Sequence, residues 1–438
     1  MNKRHDKHTA SVAFHVGQSR WAQLGIFSLV LVLVSPQHVF GKSLFAQTGQ
    51  VAAKTATVAA PTKQPVEKPT TTLLSKAWGL HGTFGVDAPA AWKHVSDCST
   101  SKVTVAVIDT GIDPSHEAIK GALWVNEAEA NGKPGVDDDG NGFVDDLHGW
   151  DFVSKSGNLT DSHGHGTHIA GIIAGTSSDF KGVCPGVRVM SLRYYDPKGS
   201  GEDNLKNTIR AIEYAVARGV NIINYSGGGA EYASAEFAAL KKAEEKGILV
   251  VAAAGNERSN GDKSFYYPAA YNLKNIISVT AIDEKGKVLP SSNWGVKKVH
   301  VAAPGQSILS ALPNGAYGAM TGTSQATAFV SGVAAMIMGD SPTLQMSEVK
   351  SIIESSALKH PNLVGKTRSG ARVSALRALE MSRSKRVVAA SLPTATTQKS
   401  LPLNRDVAAG ENNVIEATNV QKNMQKNLLK PKRRPLKF

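Results

Sequence analysis

The sequence predicts an α/β fold: three layers, with a mostly parallel central sheet covered by helices on both faces. Three observations carry this. Short β-branched runs at 103–108, 187–192, 220–225, 248–253, 276–281 and 299–302 are mostly apolar on both faces. A strand with no polar face is buried on both sides, as in a parallel sheet under helices. Segments with 3–4 apolar spacing alternate with these runs, at 166–174, 204–218, 233–246 and 346–357. In the second of them Leu205, Ile209, Ile212 and Val216 form the stripe, and Gly219 follows as the stop signal. Finally, 329–338 is small and apolar on every side, which reads as a buried helix. Strand and helix in alternation give a parallel sheet, and such sheets place their chemistry at the carboxyl ends of strands. No internal repeat is evident.

The ends of the chain read differently. The chain has 438 residues and a formal net charge of +13. Residues 1–72 hold eight Lys/Arg against two acids, and residues 384–438 hold eleven against three. That leaves 30 basic and 31 acidic residues in 73–383, a nearly neutral body. The basicity belongs to the ends, so no specific nucleic-acid partner is expected; a basic tail is usually solvated. In 1–46, Lys3, Arg4, Lys7 and Arg20 precede an apolar run at 24–34. That length suits a signal peptide and falls short of a membrane span. Cleavage is expected after Gly41 or Ala46. An uncleaved anchor is the alternative, and only then would the chain meet a membrane. No cysteine lies near the cleavage region, so a lipoprotein is not expected. Residues 47–72, rich in Ala, Thr, Pro and Lys, read as a linker. Residues 73–383 form the folded domain, opening with a segment around Trp78 and Trp92 that packs onto the core. Residues 384–438 read as a disordered basic tail, so a mature core close to 73–383 is expected after trimming. The predicted product is a monomer, secreted or held in the cell envelope. Cys98 and Cys184 are the cysteines; in an exported protein they form one disulfide or remain two buried thiols, and the sequence leaves both open.

Four polar residues stand where strands end or helices begin. Ser324 opens the buried helix, where unpaired N–H groups and the positive dipole end suit a nucleophile that will carry an anion. Alone it reads as a helix cap. Asp109 ends the first strand, where a buried carboxylate requires partners. His165 lies in His163-Gly164-His165-Gly166-Thr167-His168, just before an apolar helix. These histidines lack the i, i+4 spacing of a helical zinc pair and have no acidic or thiol ligand beside them. Asn256 follows the strand at 248–253. A serine needs a base, the base needs a carboxylate, and the oxyanion needs fixed donors. An Asp, a His, an Asn and a Ser so placed supply the parts of acyl transfer.

With these residues in view, the chain resembles the subtilisin-like serine proteases, the subtilase family. Val107-Ile108-Asp109-Thr110-Gly111-Ile112-Asp113 is similar to the family's aspartate motif, His165-Gly166-Thr167-His168-Ile169-Ala170-Gly171 to its histidine motif, and Gly322-Thr323-Ser324 to its serine motif. The resemblance runs from about Trp78 to about Leu379. It implies a subtilisin-like fold and a serine endopeptidase acting on protein or peptide substrates through an acyl-enzyme. His165 would be the base, Asp109 its orienter and Ser324 the nucleophile, with Asn256 and the Ser324 N–H holding the oxyanion. His168 would be structural. Ser226, Gly227 and Gly228 are similar to the family's substrate strand, and Gly199, Ser200 and Gly201 to the opposing strand; a peptide would lie between them as an added strand. Tyr267-Pro268-Ala269 and Ala303-Pro304-Gly305 also match family segments. Gln325 and Ala328 depart from the family's Met and Pro. Losing Pro removes a rigid helix start, and Gln in place of Met removes an oxidisable sulfur beside the nucleophile. Many family members carry a folded inhibitory propeptide, and 47–72 is too short and too polar to be one. The rival reading is a silent member that keeps the fold as a peptide-binding module.

The acidic run 137–146 is the other dense signal. Asp137, Asp139, Asn141, the Phe143 carbonyl and Asp145 fall at positions 1, 3, 5, 7 and 9 of an EF-hand-like loop, with Gly142 at position 6 and His148 where the Glu would be. Their mutual repulsion predicts a structural calcium; the alternative is a solvated acidic loop.

Overall fold

The computed structural model describes residues 72–95, 98 and 102–391, without the side chains of 386–391. The expected signal segment 1–46, nearly all of the expected linker and the tail beyond 391 lie outside the described residues. The strands are β1 (Thr104–Asp109), β2 (Gly149–Asp151), β3 (Arg188–Arg193), β4 (Ile222–Tyr225), β5 (Leu249–Ala253), β6 (Ile276–Ile282), β7 (Val301–Pro304), β8 (Ile308–Leu312), β9 (Ala316–Met320), β10 (Leu358–Lys359) and β11 (Ala371–Arg372). The helices are α1 (Leu73–Lys76), α2 (Trp78–His81), α3 (Ala88–Trp92), α4 (Glu127–Ala130), α5 (His165–Ala174), α6 (Gly201–Ala217), α7 (Ser234–Glu245), α8 (Thr323–Asp340), α9 (Met346–Ser356) and α10 (Ala375–Ser391). One sheet takes the order β10-β11-β7-β6-β5-β4-β1-β3-β2, parallel except for β10 against β11. β8 and β9 form a separate antiparallel hairpin.

The predominantly apolar runs are explained by two cores. Successive strand residues point to opposite faces. Val105 and Val107 of β1 join the core with residues of α5, α8 and α9, while Ala106 and Ile108 join the core with residues of α6 and α7. The same alternation holds in β5, where Val251 belongs to the first core and Val250 and Ala252 to the second. Each Val, Leu or Ile removed from water contributes about 1.5–3 kcal/mol, and Asn224 and Thr280, polar residues that the central strands do bury, are hydrogen-bonded. α8 is buried from Thr323 to Met338. It comes this close because Gly332 lacks a Cβ, which would lie 2.6 Å from the Val183 Cβ.

The observed elements depart from expectation at the edges. α6 begins at Gly201, one turn early, because Ser200 caps it by accepting from the Asp203 N–H at 3.0 Å. α10 carries regular structure to Ser391, past the expected boundary at 383. Cys98 and Cys184 form a disulfide with a Cα–Cα distance of 5.5 Å, which settles the open alternative. Among the described residues no helix is long and apolar enough to cross a membrane.

Candidate active site

The strand order reverses around β1, which has β3 on one side and β4 on the other. Such a switch point opens a crevice beyond the carboxyl ends of the strands. Asp109 is the last residue of β1, 4% exposed, and its Oδ1 lies 2.7 Å from His165 Nδ1. His165 is the first residue of α5, after Gly164 in the left-handed conformation (φ 90°). Gly166 lets α5 close onto β1, since a Cβ there would overlap the Gly111 carbonyl oxygen and sit 3.2 Å from the Asp109 Cβ. Burial would lower the His165 pKa, but the charge and hydrogen bond of Asp109, helped by Asp161, outweigh it and raise the imidazole above its ordinary value.

Asp161 was not singled out from the sequence. It is buried, and its carboxylate accepts from Thr110 Oγ1 (2.9 Å), His163 N (3.0 Å), Gly164 N (2.8 Å), Thr167 N (2.9 Å) and Thr167 Oγ1 (2.7 Å). Thr110 Oγ1 in turn accepts from Gly166 N at 2.9 Å. One carboxylate therefore satisfies the start of α5 and ties it to the residue after Asp109.

Ser324 lies in the first turn of α8, 8% exposed. Its hydroxyl donates to the Ser226 carbonyl at 3.0 Å, and no hydrogen bond joins it to His165 among the described residues. Asn256 Oδ1 accepts from Thr323 N at 3.1 Å and Thr323 Oγ1 at 3.2 Å. With its carbonyl side engaged, the amide presents Nδ2 as the free donor. Asn293 holds this loop: Oδ1 accepts from Glu257 N (3.1 Å) and Ser259 N (2.8 Å), while Nδ2 donates to the Ala254 carbonyl (2.9 Å) and Glu257 Oε2 (2.6 Å). Asn224 links Ser331 Oγ of α8 (2.8 Å) to Ser226 Oγ (2.9 Å). Asn293 was also missed, and Asn224 was read only as part of the segment leading into the substrate strand; a buried asparagine inside or beside an apolar run was the available signal.

The three histidines do not converge as metal ligands. His168 Nε2 donates to the carbonyls of Ile308 (2.9 Å) and Gly318 (3.2 Å), fastening α5 to the β8–β9 hairpin. Burial, with His165 nearby, pushes its pKa down to about 3, so it is neutral and structural. Ser226, Gly227 and Gly228 continue β4 into the cleft, where Gly229 pairs with Tyr267. The opposing segment differs from expectation. Gly199 and Ser200 lie before the helix, and Gly201 is already its first residue, so this wall is a loop-to-helix junction. Gln325 is buried, and its Nε2 has no partner among the described residues.

In the acidic loop Asp137 accepts from Asn141 N (3.0 Å) and Gly142 N (2.7 Å), and Asn141 Oδ1 from Phe143 N (2.7 Å). Asp145 turns to Gly135 N at 2.9 Å. The acidic groups that converge are Glu129, Asp139 and Asp146, with ligand oxygens within 4.8 Å of one another. Arg218 partly neutralises them, reaching Asp139 at 2.6 Å and Asp146 at 2.9 Å. Glu129 and Asp146 were absent from the expected ligand set. The Phe143 ring packs edge-on against Trp150 and Tyr214.

The carboxyl edge of the parallel sheet thus carries an Asp–His pair, and a serine in a helix's first turn has an oriented amide beside it. The subtilase family model matches residues 100–392, and the chain belongs to that family. It is 30% identical over 323 residues to subtilisin-like protease 1 of Plasmodium berghei (strain Anka), covering 69% of this chain and 53% of that protein. It is 36% identical over 280 residues to subtilisin E of Bacillus subtilis (strain 168), covering 63% of this chain and 65% of the relative. Against the subtilisin of Bacillus pumilus it is 36% identical over 280 residues, covering 63% and 90%. The chain thus spans about half of the Plasmodium relative and just under two thirds of subtilisin E.

Proposed function

We propose that this chain is a serine endopeptidase using Ser324, His165 and Asp109, with Asn256 as an oxyanion donor. The observation that carries the reading is the 2.7 Å contact between His165 Nδ1 and a buried Asp109 at the carboxyl end of β1. That contact fixes the tautomer with Nε2 free as acceptor. Attack requires the Ser324 hydroxyl to turn from the Ser226 carbonyl to Nε2. Oγ then bonds to the substrate carbonyl carbon as its proton passes to Nε2. The displaced electron pair rests on the carbonyl oxygen, facing Asn256 Nδ2 and the Ser324 N–H, which has no intrahelical partner. Collapse breaks the C–N bond, and the leaving amine takes the proton from His165. Water repeats the steps on the acyl-enzyme and restores Ser324.

The substrate is a protein or peptide lying against 226–228 as an added strand, with 199–200 opposite. Calcium is the proposed cation of the acidic loop. The donor set fits, because carboxylate and carbonyl oxygens are hard ligands and three acidic groups here already converge within 4.8 Å, with Arg218 offsetting part of their charge. Asp137, Asp139, Asn141, the Phe143 carbonyl and Asp145 would hold it, with Glu129 and Asp146 adjoining. The disulfide favours an extracytoplasmic location, where such bonds persist. Labelling with a fluorophosphonate tests the chemistry: the parent chain should be modified at Ser324 and should hydrolyse peptides. Ser324→Ala should do neither while keeping its fold, and continued hydrolysis by that variant would sink the assignment.

A further inference from the structure

β4 and β5 pair in parallel from Ile222 against Leu249 to Tyr225 against Ala252. Beyond that point the ladder stops. Residues 226–229 and 254–257 run on as the two walls of a crevice, and Gly229 pairs instead with Tyr267. The Tyr266 ring stands between the walls. A Cβ on Gly228 would lie 2.7 Å from the ring Cε1, and a Cβ on Gly255 would lie 2.9 Å from the ring Cδ2. Two glycine walls alone would leave a slot for a large side chain; here a ring touches both. The Gly228 wall cannot retreat, because a Cβ there would also overlap the Tyr267 carbonyl oxygen. On the other wall the Glu257 carboxylate is tethered to Asn293 at 2.6 Å and stands against Gly255.

Ser324 Oγ meets this crevice at the Ser226 carbonyl, 3.0 Å away, and Asn256 closes its other side. A substrate whose carbonyl sits between Ser324 and Asn256, with its chain along 226–228, directs the side chain of that same residue between the walls. We propose that Tyr266 is a specificity-determining residue: its ring fills the space for the side chain preceding the scissile bond, so the cleft selects Gly, Ala or Ser there and rejects large side chains. This rests on the endopeptidase reading for the position of the substrate, and on packing alone for the selection. Glu257 adds like-charge repulsion against acidic residues. The Tyr266 hydroxyl makes no hydrogen bond among the described residues, so the phenyl ring is the part that blocks.

The test uses the full chain and two peptide p-nitroanilides that differ only in the residue before the scissile bond, Ala or Phe. The parent should favour Ala over Phe in kcat/KM by at least about tenfold, the scale on which pocket size discriminates apolar groups. Tyr266→Ala should lift the Phe substrate until the ratio reverses, and Tyr266→Phe should keep the parental ratio. A parent that cleaves Phe as well as Ala would overturn the proposal; so would an unchanged ratio in a Tyr266→Ala protein with parental near-ultraviolet circular dichroism. Binding of the matching uncleaved peptides to Ser324→Ala, with and without Tyr266→Ala, separates the two readings. A preference for Ala that Tyr266→Ala removes upholds the pocket even if no form hydrolyses peptide, and the catalytic reading then fails alone. Equal binding of both peptides to Ser324→Ala overturns the pocket.

Discussion

Asp161 influences His165 without touching it. It accepts from five donors, two of them the hydroxyls of Thr110 and Thr167. It is also one of the charges that raise the His165 pKa. Asp161→Asn therefore has two separable effects. The amide puts an NH₂ where an oxygen accepted N–H groups, which loosens the start of α5, and kcat/KM at the plateau should fall about ten- to a hundredfold, as expected when a support shifts a reacting group by about 1 Å. The variant also removes a negative charge, so the imidazole pKa falls. In the proposed mechanism the base works as neutral imidazole; the acid limb of kcat/KM should therefore move to lower pH, although the plateau drops. A lower plateau with an unmoved limb would leave Asp161 a structural cap only. In the sequence, Asp161 looks like any turn aspartate. Its donors come from both sides of His165 and from the end of β1, and only the fold brings them together. Asp109, His165 and Ser324 stand out in the sequence because each ends a strand or starts a helix inside a motif, and Asn256 because it closely follows β5.

Elements were legible where they were long and buried. Every central strand stands within two residues of its expected place, because two-sided burial leaves a mostly apolar, β-branched run. β2, β10 and β11 are two or three residues long and carry no such run. The β8–β9 hairpin had a signal that was passed over: Asn314 (φ 62°) and Gly315 (φ 71°) supply the left-handed turn between its strands. The acidic loop was found by its spacing, but Glu129 on α4 and Arg218 at the end of α6 come from other elements. Arg218 reaches both Asp139 and Asp146, so the loop carries part of its charge balance already. A calcium ion bound only by the folded chain would stabilise it by about 2.7 kcal/mol at a hundred times its Kd. The melting temperature of the parent should rise with free calcium and fall with chelator, and Asp139→Ala should abolish the difference. A parent insensitive to chelator would mark a solvated loop, and a calcium increment that survives Asp139→Ala would place the ion elsewhere.

At the scale of the whole molecule, the segment 73–95 precedes the stretch matched by the family model, yet it is bound to the body at several points. Trp78 Nε1 donates to the Gln306 carbonyl at 2.9 Å and Trp92 Nε1 to the Val183 carbonyl at 2.9 Å. Arg372 reaches the Thr83 carbonyl at 3.0 Å, and Ser374 Oγ donates to Asp87 at 2.6 Å. The Cys98–Cys184 disulfide closes 86 residues of sequence that include β1 and α5. Restricting a loop of that size in the unfolded chain is worth about 4–5 kcal/mol in the chain-entropy account, and about 2–5 kcal/mol is typical when a native bridge is removed. The bridge packs at the far end of α5 from His165, since Cys184 N donates to the Ile173 carbonyl at 2.9 Å. A ten-residue helix separates the two ends by about 15 Å. Removing the bridge should therefore cost stability without disturbing the site. The Cys98→Ser, Cys184→Ser double variant should unfold at lower urea by circular dichroism, with a loss of about 2–5 kcal/mol, while its serine labels at the parental rate at 25 °C in the absence of urea. An unchanged urea midpoint would show that the contacts of 73–95 hold the segment without the bridge. A slowed labelling rate in the folded variant would show instead that the bridge positions α5, and with it His165.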